Sequence, residues 1–146
     1  FISGIDGNTV SDEELMEDIC KLVNQSNNNK SNLIESKKEV LGCICISFII
    51  DDFYKSVKWL TKTHKNVYIH RLAIHPNYQG KGLALKLMDF ANEIAIKNNC
   101  ESIRLDTFSG NPRNNKFYLL QGYTKIGEIY FRNQSDMPFN CYEKIL

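Results

Sequence analysis

The chain carries almost no excess charge. Eighteen Lys and Arg stand against 17 Asp and Glu, leaving a formal net charge of +1. That balance removes the electrostatic case for nucleic acid or an anionic membrane as partner. Long hydrophobic runs are also missing: the longest apolar stretch, Cys43 to Ile50, is far too short to span a bilayer. No secretory leader is legible, and an opening at Phe1 rather than Met predicts that the true N-terminus lies upstream. The five cysteines, Cys20, Cys43, Cys45, Cys100 and Cys141, are odd in number and contain no CxxC pair. No His/Cys cluster has zinc-ligand spacing either, so no metal is expected. Buried free thiols in a reducing cytoplasm are the reading for all five. There is no internal repeat.

What is present suits one domain, residues 1–146, around one core. Apolar content of 42% and charged content of 24% are ordinary for a globular chain. Ser11 to Val23 reads as a helix opened by a Ser11–Glu14 capping box. Asn24 to Asn32 has no hydrophobic period and reads as a loop. Val40 to Ile50 reads as a buried strand. Asp51 to Thr63 resists assignment, although Phe53, Tyr54 and Trp59 suggest a segment packed on the core around a site. Val67 to Ile74 is a strand with apolar residues on both faces, Val67, Ile69 and Ala73 against Tyr68, Leu72 and Ile74. It is therefore expected at the centre of the sheet.

Gly82 to Asn98 has a helical apolar stripe at Leu83, Leu87, Ala91, Ile94 and Ala95. Ser102 to Phe108 is a strand. Asn111 is placed to cap a short helix with Pro112 at its first position, ending near Gln121 with Gly122 beyond. Tyr123 to Phe131 and Cys141 to Leu146 are two antiparallel strands. Strand–helix–strand over residues 67–108 implies a right-handed parallel crossover. The expected fold is α/β, a three-layer α-β-α arrangement with a mixed sheet.

The richest stretch is Leu72-Ala73-Ile74-His75-Pro76-Asn77-Tyr78-Gln79-Gly80-Lys81-Gly82-Leu83-Ala84. A strand ends at a proline, a glycine-bearing turn follows, and a helix begins. The first N–H groups of a helix point outward without partners, and with the positive end of the dipole they form an anion site suited to a pyrophosphate. Gly80 and Gly82 permit close approach and positive φ. A P-loop is excluded because Lys81 is followed by Gly82, and a Rossmann fingerprint because Leu85 stands where its third glycine belongs.

Gln79-x-x-Gly82-x-Ala84 resembles the acyl-CoA pyrophosphate motif, Gln/Arg-x-x-Gly-x-Gly/Ala, of the GNAT N-acetyltransferases. Asn111-x-x-Asn114-x-x-Phe117-Tyr118-x-x-x-Gly122-Tyr123 is similar to that family's downstream signature. The resemblance covers roughly Val40 to Leu146, and the N-terminal part looks divergent or truncated. Pro138-Phe139-Asn140-Cys141-Tyr142-Glu143-Lys144 also resembles the ending of a bacterial subgroup.

The resemblance implies acetyl-CoA as co-substrate. The backbone of Leu72, Ala73 and Ile74 would pair with the pantetheine arm, whose two amides each offer a donor and an acceptor. The N–H groups of Gly80, Lys81, Gly82, Leu83, Ala84 and Leu85 would hold the pyrophosphate, and Gln79 would shape the turn. Tyr118 matches the tyrosine that protonates the departing sulfur, and Asn111 an asparagine that contacts the cofactor. Asp106 stands where some members carry a glutamate base, with a salt bridge to Arg104 as its competing role. His70 is the rival base, since an imidazole titrates near neutral pH, and Glu143 is a third candidate. Arg113 and Lys116 could meet the 3′-phosphate of CoA or simply be solvated.

The expected activity is acetyl transfer from acetyl-CoA to a primary amine, on a small molecule or a peptide, by direct attack in a ternary complex. The alternatives are a non-catalytic acyl-CoA binding or sensing module and a cofactor-free interaction domain. The divergent segments, 11–38 and 51–63, are those that would shape the acceptor pocket, with Glu35, Asp51 and Asp52 as possible attractors of a cationic amine. Loss of a first strand would expose a sheet edge and favour a homodimer.

Overall fold

The structure, a computed structural model, describes residues 30–36 and 39–146. The expected Ser11–Val23 helix lies outside the described residues. Six strands and two α-helices follow in the order β1 (Lys30–Ser36), β2 (Glu39–Ser47), β3 (Asn66–Ile74), α1 (Leu83–Lys97), β4 (Ser102–Phe108), α2 (Pro112–Leu120), β5 (Thr124–Ile129) and β6 (Phe139–Ile145). They form one mixed sheet in the spatial order β1-β2-β3-β4-β6-β5. Among the described strands only β3 and β4 run parallel, joined through α1 as a crossover requires. The other neighbours are antiparallel.

Strand β1 corrects the sequence reading. Residues 24–29 of the expected loop lie outside the described residues, but Lys30 to Asn32 open a strand that pairs with Ile44–Ile46. Polar residues without a hydrophobic period carry no strand signal. Pairing with the apolar β2 supplies the hydrogen bonds that local propensity does not.

The helices and the sheet share a core of Ile44, Ile46, Val67, Ile69, Leu72, Ile74, Leu87, Met88, Ala91, Ile103 and Leu105. A second apolar cluster, of Tyr54, Tyr68, Ile129, Phe139 and Cys141, involves the opposite face. Trp59 and Phe108 pack on it, half-buried.

The partition of β3 between these clusters overturns the expected facing. Strict alternation sets Leu72 and Ile74 against Val67 and Ile69, yet all four lie in the helical-face core. The register explains why. Cys45 pairs with Arg71 and the next residue, Ile46, pairs with Ile69, so His70 is an extra residue in β3. This β-bulge resets the alternation by one.

Candidate functional site

The parallel ladder between β3 and β4 runs from Asn66↔Ser102 to Ile69↔Leu105 and stops. Strand β3 continues to Ile74 beside β2 alone. His75 N–H donates to Leu41 O at 2.7 Å. Antiparallel alternation then turns the backbone of Ala73 toward β2, and that of Leu72 and Ile74 away from it, toward β4. An opening with strand-like valences is the result. Gln79 Nε2 lies 3.4 Å from Ile74 O and ties the following turn to the end of the strand.

That turn begins with His75, whose Nδ1 accepts from Asn77 N at 3.1 Å, and passes through one turn of 3₁₀-helix at Pro76–Tyr78. Gly80 and Gly82 follow with φ of +75° and +79°. A Cβ at either would meet nothing within 4 Å, so both backbones face open space. Gly82 caps α1 without a side chain, and the first helical bond is Lys86 N to Gly82 O at 3.2 Å. The N–H groups of Leu83, Ala84 and Leu85 therefore have no acceptor within the helix. Lys81 is exposed, with its Nζ 5.3 Å from the centre of the Tyr78 ring.

Helix α2 is held over the ends of β4 and β6 by Asn115. Its Nδ2 donates to Asn111 O at 2.7 Å and Phe108 O at 2.9 Å. Its Oδ1 accepts from Tyr142 Oη at 2.7 Å and Asn140 Nδ2 at 2.8 Å. All four valences of the amide are used. Asn111 Oδ1 caps the helix by accepting from Asn114 N at 3.0 Å. Tyr118 is buried on the helical face between Tyr123 and Tyr142, with ring centroids 5.8 and 6.1 Å away. Burial, with the nearby Asp106 charge, pushes the Tyr118 phenol well above its usual range.

Asp106 approaches from the other face, one residue beyond the last β3–β4 pair. It forms a hydrogen bond with the Tyr54 hydroxyl, not the salt bridge with Arg104 considered as its competing role. Burial pushes its carboxyl up to about 6; the Tyr54 hydrogen bond works against that rise, and the Asp51 charge adds to it. The His70 ring lies 6.5 Å from that of Tyr54. Burial lowers its basicity, with Asp51 raising it and Arg71 lowering it further. His70 thus shares a face with Tyr68, as the sequence implies, but not with Leu72.

Arg104 serves Glu143 instead. Its Nε lies 3.2 Å from Glu143 Oε1, its Nη1 donates to Tyr68 Oη at 3.0 Å, and its Nη2 donates to Thr61 O at 2.7 Å. Glu143 also accepts from Ser102 Oγ at 2.6 Å, from Thr61 Oγ1, and from the backbone N–H of Leu60 and Thr61. Burial alone would raise this carboxyl, but these donors outweigh it and hold it low. Every observed role of Glu143 is structural. Beside this knot opens a cleft of about 370 Å³ walled by Phe48, Ile50, Val57, Trp59, Tyr68 and Arg104.

Among the described residues, no group of three or more His, Cys, Asp or Glu could hold a metal, and no helix is long and apolar enough to cross a membrane. Asn115 is the site-forming residue that sequence reasoning missed; the sequence suggests Tyr54 as packed around a site, but not its pairing with Asp106. Beside the aromatics Phe53, Tyr54 and Trp59, the local signal for the Tyr54 turn is Asp51, a turn opener whose Oδ1 accepts from Phe53 N at 2.9 Å.

A split between parallel strands, a glycine turn and an uncapped helix define an acyltransferase-like fold, and the comparisons agree. Residues 6–123 match the Acetyltransferase (GNAT) family, and the chain belongs to that family. It is 24% identical over 98 residues to the mouse (Mus musculus) thialysine N-epsilon-acetyltransferase, covering 67% of this chain and 55% of the relative. The chain thus spans about half the length of that curated relative. A crystal structure of a putative acetyltransferase from Staphylococcus aureus Mu50 superposes with a TM-score of 0.61 at 23% identity, over 91% of this chain and 78% of that one. The NatC complex bound to Gag peptide and CoA gives a TM-score of 0.61 at 21% identity, over 80% and 70%.

Proposed function

We propose that the protein transfers the acetyl group of acetyl-CoA to a primary amine by direct attack in a ternary complex. One observation carries the reading: the open edge of β3 at Leu72 and Ile74 runs straight into the positive-φ glycines and uncapped N-terminus of α1. An extended diamide fits the edge as an added strand. Its pyrophosphate fits the turn, where neither glycine carries a Cβ to obstruct it. Membership of the acetyltransferase family and the CoA held by a structural relative support the same ligand. A relative named for acetylation at Nε supports an amine acceptor.

The residues divide the proton work between the two faces of the sheet. Asp106, with its carboxyl near 6, is ionised at pH 7 to 8 and takes the amine proton, directly or through a water. The amine nitrogen bonds to the acyl carbon and the carbon–sulfur bond breaks. Tyr118, whose phenol stays protonated at that pH, gives its proton to the departing sulfur. His70, neutral at the same pH, is the second acceptor on the Asp106 face.

Calorimetric titration with acetyl-CoA tests the site. The expected result is affinity on the order of micromolar, lost in Gly82→Glu, where a carboxylate and a Cβ enter the turn. Thiol release with a panel of amines then tests the transfer. No binding to the intact chain would overturn the reading. Binding without thiol release from any amine would reduce the protein to an acyl-CoA binding module.

A further inference from the structure

We propose that Tyr54 is the positioning residue of the proton acceptor: its hydroxyl fixes Oδ1 of Asp106 and leaves Oδ2 to receive the amine proton. The inference rests on the acetyl-transfer reading and adds a residue that the family motifs do not contain.

The geometry around Tyr54 is over-determined. The residue is 2% exposed and sits in a 3₁₀ turn, Asp52–Ser56. Its carbonyl accepts from Val57 N at 3.2 Å and Trp59 Nε1 at 2.8 Å. Its ring centroid is 5.2 Å from Trp59, 5.8 Å from Tyr68 and 6.5 Å from His70. Phenylalanine would satisfy every one of these ring contacts. Among the described residues the hydroxyl has a single hydrogen-bond partner, a carboxylate 52 positions away in sequence.

Among the described residues, no other side chain donates to Asp106. Charged and titratable groups reach it from three elements, Asp51 and Tyr54 from the turn, Tyr118 from α2 and Cys141 from β6, while His70 of β3 faces the Tyr54 ring. Arg104, two residues earlier on the same strand face, gives its donors to Glu143, Tyr68 and Thr61. Burial and Asp51 oppose ionisation of Asp106, and the Tyr54 hydroxyl favours it. The same bond removes one carboxyl oxygen from play, which turns a rotating group into a directed one.

The test is Tyr54→Phe in the full chain, read two ways. The carboxyl carbon resonance of Asp106, assigned with Asp106→Asn, is titrated by NMR, and acetyl transfer is followed against pH. The expected result is a titration midpoint moved to higher pH, with the acid limb of the rate profile moving with it. At pH 7 kcat falls on the order of tenfold while KM for acetyl-CoA holds. Tyr54→Phe should slow Asp106→Asn no further, because the tyrosine acts through the carboxylate. Where the phenylalanine variant folds poorly, 3-fluorotyrosine at position 54, a stronger donor, should move the midpoint the other way. An unmoved midpoint beside normal wild-type turnover would overturn the role of Tyr54 alone. No turnover by the wild type with any amine would overturn the reading beneath it.

Discussion

Arg104 and Glu143 face each other across β4 and β6, Nε to Oε1 at 3.2 Å, with side chains 4% and 0% exposed. The guanidinium carbon also lies 4.7 Å from the centre of the Trp59 ring. An ion pair this deep is sustained by its further hydrogen bonds to Ser102, Thr61 and Tyr68, because Coulomb attraction alone barely offsets the loss of hydration. The knot pins the 57–64 segment to the sheet, and that segment carries the wall against which Tyr54 rests.

Glu143→Leu should therefore cost about 3–5 kcal/mol, because it strands a buried guanidinium. Urea unfolding measures it. The pH dependence has a definite sign. The carboxyl is held below its ordinary value, so its contribution is present above the unfolded pKa and is lost as pH falls through the folded one. Wild type should lose stability through that acid range, and the variant should lose less.

Asp106→Asn should show the opposite sign. A carboxyl raised to about 6 binds its proton more tightly when folded, so stability falls as pH rises from about 4 to 6. The asparagine variant escapes that loss while keeping an oxygen for Tyr54. A shift of this size is worth roughly 3 kcal/mol, so its Tm should exceed that of wild type by roughly 6–12 °C at pH 8, and the gap should close near pH 4. Acetyl transfer should fall by on the order of 10²-fold. His70→Ala assayed beside it assigns the base: a greater loss there would move the role to the imidazole.

Tyr118→Phe should reduce kcat by on the order of 10²-fold and leave acetyl-CoA affinity nearly unchanged. Steady-state kinetics with calorimetry separates the two. Unchanged turnover would remove Tyr118 from the chemistry and leave it a core ring between Tyr123 and Tyr142.

Gly82→Ala adds a methyl to a residue at φ +79°. The left-handed conformation should cost about 1–2 kcal/mol, with no clash to add, since a Cβ there meets nothing within 4 Å. Thermal melts without ligand read that term. A greater loss of acetyl-CoA affinity than of stability would locate the pyrophosphate at the turn.

The sequence was most legible where local chemistry and tertiary structure agree. The Ser102–Phe108 strand, the Asn111–Pro112 helix start and the Gly80–Gly82 turn all appear as read. Capping residues and positive-φ glycines announce themselves within a few positions. Three features were illegible for physical reasons. Strand β1 opens on three polar residues, Lys30 to Asn32, and owes its conformation there to a neighbour. The bulge at His70 is a matter of register between two strands, which neither strand encodes alone. The pairing of Asp106 with Tyr54, and of Arg104 with Glu143, depends on side chains meeting across dozens of residues. Proximity along β4 suggested Arg104 for Asp106, and the sheet chose otherwise.

Four residue pairs join β3 to β4, whereas six join β2 to β3 and seven join β4 to β6. The sheet is accordingly two leaves on a short spine, β1-β2-β3 and β4-β6-β5, open at one end. A molecule seated in that opening would bind both leaves at once. Occupancy and cohesion then become the same quantity: whatever fills the opening adds its binding free energy to the resistance of the leaves to parting. Amide exchange at Leu72 and Ile74 would report both.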